Sequence, residues 1–152
     1  MLTLRFTWNI TPDFTVQYYG MPFISAGNYT DYKYIADSKA ERFNDRFTSY
    51  TANQFPNGIE GDVIEVNEEG DEGGEIDYSF DNPNFNIMDF NSNMVVRWEY
   101  KPGSTLYVVW TQKRYKDRID GNYSFAQDTR DLYMNTYPHD VFLIKYSYRF
   151  AM

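Results

Sequence analysis

The chain of 152 residues has no cysteine and only one histidine. Without cysteine there is no disulfide framework, no thiolate metal site and no cysteine nucleophile. Any histidine-dependent chemistry rests on His139. Long apolar runs are also missing. Mean hydropathy is −0.66, and no stretch approaches the roughly 20 apolar residues of a transmembrane helix. The opening Met1-Leu2-Thr3-Leu4-Arg5-Phe6-Thr7-Trp8 alternates, without the charged-then-apolar order of a signal peptide. Cations are few: 14 Lys and Arg stand against 22 Asp and Glu, a net charge of −8. So acidic a chain is ill matched to nucleic acid, whose phosphates are neutralised by basic side chains. Its length suits one domain over 1–152.

What is abundant is aromatic: 15 Tyr, 12 Phe and 3 Trp make up 20% of the chain. The acidity is local. Between Phe47 and Val96 there is no Lys or Arg, while 11 Asp and Glu fall there. Residues 47–92 therefore read as an acidic, loop-rich insertion in a slightly basic framework.

That framework alternates with period two, the spacing that sends successive side chains to opposite faces of a strand. Leu2, Leu4, Phe6, Trp8 and Ile10 share one face, opposite Thr3, Arg5, Thr7 and Asn9. After the turn signal Thr11-Pro12-Asp13, Phe14, Val16 and Tyr18 oppose Thr15, Gln17 and Tyr19. Met94, Val96, Trp98 and Tyr100 oppose Val95, Arg97 and Glu99, and Lys101-Pro102-Gly103 breaks that run. Leu106, Val108 and Trp110 form a fourth stripe, and Phe142, Ile144, Tyr146, Tyr148 and Phe150 a fifth, against Lys145, Ser147 and Arg149. These predict antiparallel hairpins joining the first two strands and the third to the fourth. Weaker signals predict short helices over 37–43 and 123–135 and short strands over 61–66 and 75–80.

A soluble sandwich also alternates, hiding one face in its core. Here the runs match strands that cross a bilayer at about 45° tilt, and aromatics cluster at strand ends, where membrane barrels carry girdles. Two tight Pro turns alternate with long polar connections, as periplasmic turns alternate with external loops. The expected fold is all-β: an antiparallel up-and-down meander forming the C-terminal strands of an outer-membrane-type β-barrel, with a soluble β-sandwich or small barrel as the alternative. Five or seven crossing strands is an odd count. Single-chain bacterial barrels have even numbers from about eight, so missing strands from a parent chain or a partner are expected.

Four blocks carry a family resemblance. They are Tyr18-Tyr19-Gly20-Met21-Pro22-Phe23-Ile24-Ser25-Ala26-Gly27-Asn28-Tyr29, Asp77-Tyr78-Ser79-Phe80-Asp81-Asn82-Pro83-Asn84-Phe85-Asn86, the run from Ser92 through Arg97-Trp98-Glu99-Tyr100-Lys101-Pro102-Gly103 to Trp110, and Val141-Phe142-Leu143-Ile144-Lys145-Tyr146-Ser147-Tyr148-Arg149-Phe150. Together they resemble the C-terminal end of a family of large Gram-negative envelope proteins whose domain has no assigned function. The resemblance implies an outer-membrane barrel behind a signal peptide and a family-nine-like carbohydrate-binding module, both absent here. It implies an outer-membrane location, contact with outer-membrane lipid, and a link to carbohydrate or nutrient handling. A periplasmic or extracellular location goes with the soluble alternative. Tyr148 and Phe150 match the terminal aromatic assembly signal of barrel proteins, although Ala151-Met152 follow it.

Candidate sites divide by chemistry. Tyr29, Tyr32, Tyr34 and Tyr50 are candidates for a sugar-stacking platform, with ordinary loop tyrosines as the alternative. Asn67, Glu69 and Asp71 have the spacing that starts a calcium loop, yet Glu72 stands where the sharp turn needs glycine, so a solvated loop competes with a calcium site. Arg5, Arg97, Glu99, Lys145 and Arg149 are expected on the barrel's polar face, paired across strands, with Lys113 as a further partner. Carboxylate pairs for glycoside hydrolysis are easy to draw from nine acids between 60 and 77 and carry little weight. His139-Asp140 resembles a base with its orienting acid, but a loop residue entering the last strand is the simpler reading. No nucleophile elbow and no phosphate-binding glycine loop is present, so the chain is read as non-enzymatic by itself, with a glycan-hydrolase association left open for a full-length parent and no cofactor beyond the calcium candidate.

Overall fold

The computed structural model describes residues 2–150. Strands dominate, and they pair antiparallel. In chain order they are β1 (Leu4–Thr11), β2 (Phe14–Gly27), β3 (Lys33–Ile35), β4 (Phe47–Ser49), β5 (Val63–Val66), β6 (Tyr78–Asp81), β7 (Phe85–Lys101), β8 (Ser104–Arg118) and β9 (His139–Ser147), with one helix, α1 (Phe125–Met134), between β8 and β9. The chain divides into two compact units, one of residues 1–25, 87–117 and 123–152 and one of residues 26–86 and 118–122. The acidic insertion expected over 47–92 thus falls mostly within a unit of wider bounds.

The main sheet has the order β1-β2-β7-β8-β9. Its first hairpin pairs Phe6 with Tyr18 and Trp8 with Val16, and its last pair sets Val108 against Ile144 and Trp110 against Phe142. The Glu99 N–H donates to the Asp13 carbonyl, which puts the end of β7 beside the start of β2. At the β7–β8 turn Gly103 takes φ +78°, a left-handed conformation that glycine adopts without steric cost. The sheet does not close on itself among the described residues: β1 and β9 are its edges, exposed along their whole length.

The hydrophobic core of the first unit is Met88, Phe90 and Leu132, with Ile24 packed against it. Leu132 comes from α1, whose start is fixed by Asp128, a side-chain acceptor for the Ser124 N–H. The second unit holds two small sheets, β3–β4 and β5–β6. Its buried residues include Ile64 and Val66, and Asn82 ties the loop before them by donating to the carbonyls of Ile59 and Gly61.

The five alternating runs are all strands, and the helix expected over 123–135 and the short strands over 61–66 and 75–80 are present with shifted ends. Other expectations need correction. Residues 37–43 form turns, with a 3-10 turn only at Phe43–Arg46. There Asp37 Oδ1 accepts the Lys39 N–H and the Ala40 carbonyl accepts from Arg46, local bonds that compete with helix formation. β2 continues through Pro22 to Gly27, because β1 has stopped at its Leu4–Gly20 pair and no ladder bond is lost on that side. β9 ends at Ser147, so Tyr148, Arg149 and Phe150 lie beyond the strand.

Candidate functional site

The main sheet presents two chemically different faces. On one, Phe6 stacks with Tyr18 at 5.5 Å, Tyr100 with Tyr146 at 5.7 Å and Trp110 with Phe142 at 6.2 Å. This face is not covered by protein where the stripes run: Trp8 is 62% exposed, Phe142 69% and Ile144 70%. The dry core that a soluble sandwich needs around Phe6, Trp8, Trp98 and Trp110 is not formed: the first three are exposed and Trp110 is half-buried. Farther along β7 the same alternation carries Met88 and Phe90, and there α1 covers it through Leu132 and Tyr133.

The opposite face is polar over β1, β2 and most of β7, but toward β9 it also carries Val109, Val141 and Leu143, the last two exposed. Thr7, Asn9, Thr15, Gln17, Arg97 and Tyr107 line most of a hollow of about 420 Å³. Arg97 was expected to pair with a charge across strands; its ion pair is with Glu99 on its own strand at 2.7 Å, because residues two apart share a face, while across the ladder it bonds the Tyr107 side chain of β8. The other Glu99 oxygen accepts the Gly103 N–H, tying the pair to the turn. Arg5 lies over the Tyr19 ring, 5.1 Å from its centre. Lys145 stands opposite Tyr107 in the register. Arg149 is held beyond the strand, its N–H donating to Ser104 Oγ. Tyr148 packs edge-on against Phe150 at 4.8 Å, and Phe150 is 81% exposed.

In the acidic unit, three of the four candidate tyrosines meet. Tyr34 and Tyr50 lie 4.9 Å apart, Tyr50 contacts Phe55, and Tyr32 contacts Phe55 and Phe80. The β3–β4 pairing, extended by the Tyr50 N–H donating to the Tyr32 carbonyl, brings them together. Tyr29 is held elsewhere, its N–H donating to Asn84. Phe55, Phe80 and Tyr78, whose hydroxyl bonds that of Tyr50, belong to the cluster but were not legible as candidates, since nothing in their spacing links them to 32–50. Burial raises the Tyr32 phenol, and raises Tyr78 further together with the Tyr50 bond and the negative charges of Glu68 and Asp77.

Asn67, Glu69 and Asp71 are brought together by hydrogen bonds within the loop. The buried Asn67 amide accepts from the Glu69 and Gly70 N–H groups and donates to the carbonyl and carboxylate of Asp71. Its donors and its oxygen are thus occupied in shaping the turn. No group of three or more His, Cys, Asp or Glu able to hold a metal occurs among the described residues. His139 opens β9 opposite Lys113, and Asp140 Oδ1 is taken by Trp110 and Gln112.

What this geometry defines is a class: an antiparallel all-β protein whose open sheet is aromatic and apolar on one face and mostly polar on the other, with an acidic companion unit. No family model, no curated protein and no solved structure matches the chain.

Proposed function

We propose that the five-stranded sheet is part of the wall of an outer-membrane β-barrel in a Gram-negative envelope, with the apolar face toward lipid and the polar face toward the lumen. Its role is structural and non-enzymatic, and the acidic unit forms external loops. One observation carries the reading: large apolar side chains on β1, β7 and β9, Phe6, Trp8, Trp98, Phe142, Ile144 and Tyr146 among them, are exposed, while the polar stripe opposite them carries an ion pair and hydrogen bonds. A soluble sheet places these faces the other way round with respect to water, and exposed apolar patches of this kind mark lipid or partner surfaces.

Dimensions support it. From Tyr100 to Phe90, β7 rises about 33 Å at the usual spacing, and a tilt of about 45° turns this into about 23 Å, close to the roughly 25 Å apolar band of outer-membrane barrels. Tyr100, Tyr146 and Tyr148 mark one end of that span; at the other, α1 lies over the sheet, with Phe90 buried against Leu132 and Tyr133. Unpaired strand edges are not tolerated in hydrocarbon, so β1 and β9 take further strands, from the same polypeptide or a partner. A link to carbohydrate or nutrient handling follows from the family resemblance.

Trp8, Trp98 and Trp110 are the reporters. Reconstituted into vesicles whose acyl chains carry bromine, the chain is expected to lose most of its tryptophan fluorescence. A chain that stays monomeric and folded without detergent, with its tryptophans unquenched by such vesicles, refutes the proposal and favours the alternative fold, a soluble all-β module binding sugar or calcium.

A further inference from the structure

The acidic unit contains a hollow of about 180 Å³ lined by Tyr34, Tyr50, Gln54 and Glu68. The two rings meet at 51° with centres 4.9 Å apart, so they stand as adjoining walls and not as a closed stack. Tyr34 is 40% exposed, leaving ring surface open. The other walls are fixed from behind. Gln54 accepts the Thr51 N–H at 2.9 Å and donates to the Glu68 carbonyl at 2.7 Å. The Glu68 N–H donates to Asp77 at 2.7 Å. The backbone of Glu68 is therefore pinned, while its carboxylate is exposed and has no hydrogen-bond or ion-pair partner among the described residues.

We propose that this hollow binds an organic ammonium cation, an alkyl or quaternary ammonium head group, against the faces of Tyr34 and Tyr50 with Glu68 as counter-charge. Aromatic faces are electron-rich and attract cations within about 6 Å of the ring centre. The long-range field has the same preference. The acidic unit carries 5 Lys and Arg against 15 Asp and Glu, a net of −10, which leaves +2 on the other unit, and such a field concentrates cations.

Two competing ligands fit less well. A sugar needs several uncommitted hydrogen-bonding groups around an aromatic platform; here the Gln54 amide is engaged with Thr51 and Glu68 and the Tyr50 hydroxyl with Tyr78, which leaves chiefly the Glu68 carboxylate, a charged acceptor that suits a cation better. A hard metal ion takes six or more oxygens, and one carboxylate lines the hollow. The proposal concerns the acidic unit alone and does not depend on the membrane reading of the sheet.

The test uses the full chain, titrated with choline chloride at ionic strength held constant with sodium chloride, and followed by saturation-transfer NMR. The comparison ligands are 3,3-dimethylbutan-1-ol, the uncharged isostere, and methyl glucoside. Choline is expected to bind at least tenfold more tightly than its isostere. Glu68→Gln and Tyr34→Leu are each expected to weaken choline at least fivefold, while Tyr34→Phe, which keeps the ring, retains it. If Tyr34→Leu perturbs the fold by circular dichroism, the isosteric Glu68→Gln decides alone. Equal binding of choline and its isostere, binding of methyl glucoside without choline, or a Glu68→Gln variant with unchanged choline affinity overturns the proposal.

Discussion

Trp110 donates its indole N–H to Asp140 Oδ1 at 2.8 Å while its ring stacks on Phe142, 6.2 Å away and nearly parallel. One side chain thereby joins an exposed apolar face to a polar rim. Two steps along the register, Gln112 faces Asp140 and donates to the same oxygen. An aromatic with an apolar body and a polar handle is the group suited to such a boundary.

If the apolar face meets lipid, a charge placed in its middle must be costly there and harmless on the other face. Ile144, paired with Val108 and 70% exposed, is such a position. Ile144→Arg is expected to destabilise the vesicle-folded state by about 2–4 kcal/mol. Lys145→Gln, one residue on and on the opposite face, is expected to change it by less than about 0.5 kcal/mol. Urea titration of folding into vesicles measures both. Equal effects at the two positions would remove the assignment of faces.

The strand framework was legible because its stripes are long and apolar: Leu4 to Ile10, Met94 to Tyr100, Phe142 to Tyr146. The additional length of β7 was not. Its buried positions there are Asn86, Met88, Phe90 and Ser92, half of them polar, so the burial alternates while the hydropathy does not. The amide nitrogen of Asn86 donates to the Asn122 carbonyl, a partner 36 residues away that no local pattern reveals, while its buried Oδ1 has no partner among the described residues. β3 and β4 escaped for a related reason. With three residues each they depend on pairing with one another, and strand propensity over so short a span is dominated by context. The tyrosine candidates were named from composition, but their grouping required the pairing of Tyr34 with Thr48. Arg97 and Glu99 share a face, as parity predicts, but their ion pair with each other and the Tyr107 contact of Arg97 needed the register to be seen.

Gly103 is a point where the sheet depends on glycine. Its φ of +78° is unfavourable for any residue with a side chain, and its N–H is held by Glu99 at 2.9 Å. Gly103→Ala is expected to cost about 1–2 kcal/mol from the left-handed conformation alone, read as a shift in the denaturation midpoint with unchanged slope. An unchanged midpoint would show that the turn relaxes into another type.

Asn67 organises the acidic loop with four hydrogen bonds at 2% exposure. Asn67→Ala leaves the N–H groups of Glu69 and Gly70 without that acceptor. The expected loss is about 1–3 kcal/mol for a buried group left unsatisfied, with faster amide exchange at residues 69–71. Asn67→Asp keeps the acceptor and loses the donor, and is expected to protect Glu69 and Gly70 while releasing Asp71. Uniform exchange in all three proteins would assign the loop's order to something else.

The phenol of Tyr78 is raised above its ordinary value of about 10. The folded state therefore keeps a proton that the unfolded chain gives up first. The stabilisation is complete below about pH 10 and declines as pH rises toward the folded value. Tyrosinate absorbance is expected to lag for this residue, and the acidic unit to lose stability on the alkaline side. Tyr78→Phe removes the ionisable group and the bond to Tyr50, so its stability should fall less steeply above pH 10 than that of the parent. A parallel decline in the two proteins would remove Tyr78 as the cause.

Leu132 is the buried apolar contact between α1 and the sheet, beside an ion pair from Lys116 of β8 to Asp131 at 2.7 Å. Leu132 is 2% exposed and packs with Met88 and Phe90, while the Tyr133 ring lies tilted against Phe90 and Arg114 donates to the Tyr133 and Thr136 carbonyls. Truncating a buried leucine removes its transfer free energy and leaves a cavity, about 2–5 kcal/mol in all. Leu132→Ala is therefore expected to destabilise this end of the sheet far more than Met134→Ala, since Met134 is 76% exposed. Hydrogen exchange separates two outcomes. If α1 docks as a unit, its amides and those of residues 87–92 become labile together. If only the helix amides respond, Met88 and Phe90 are held by the sheet itself and α1 is a passive cover.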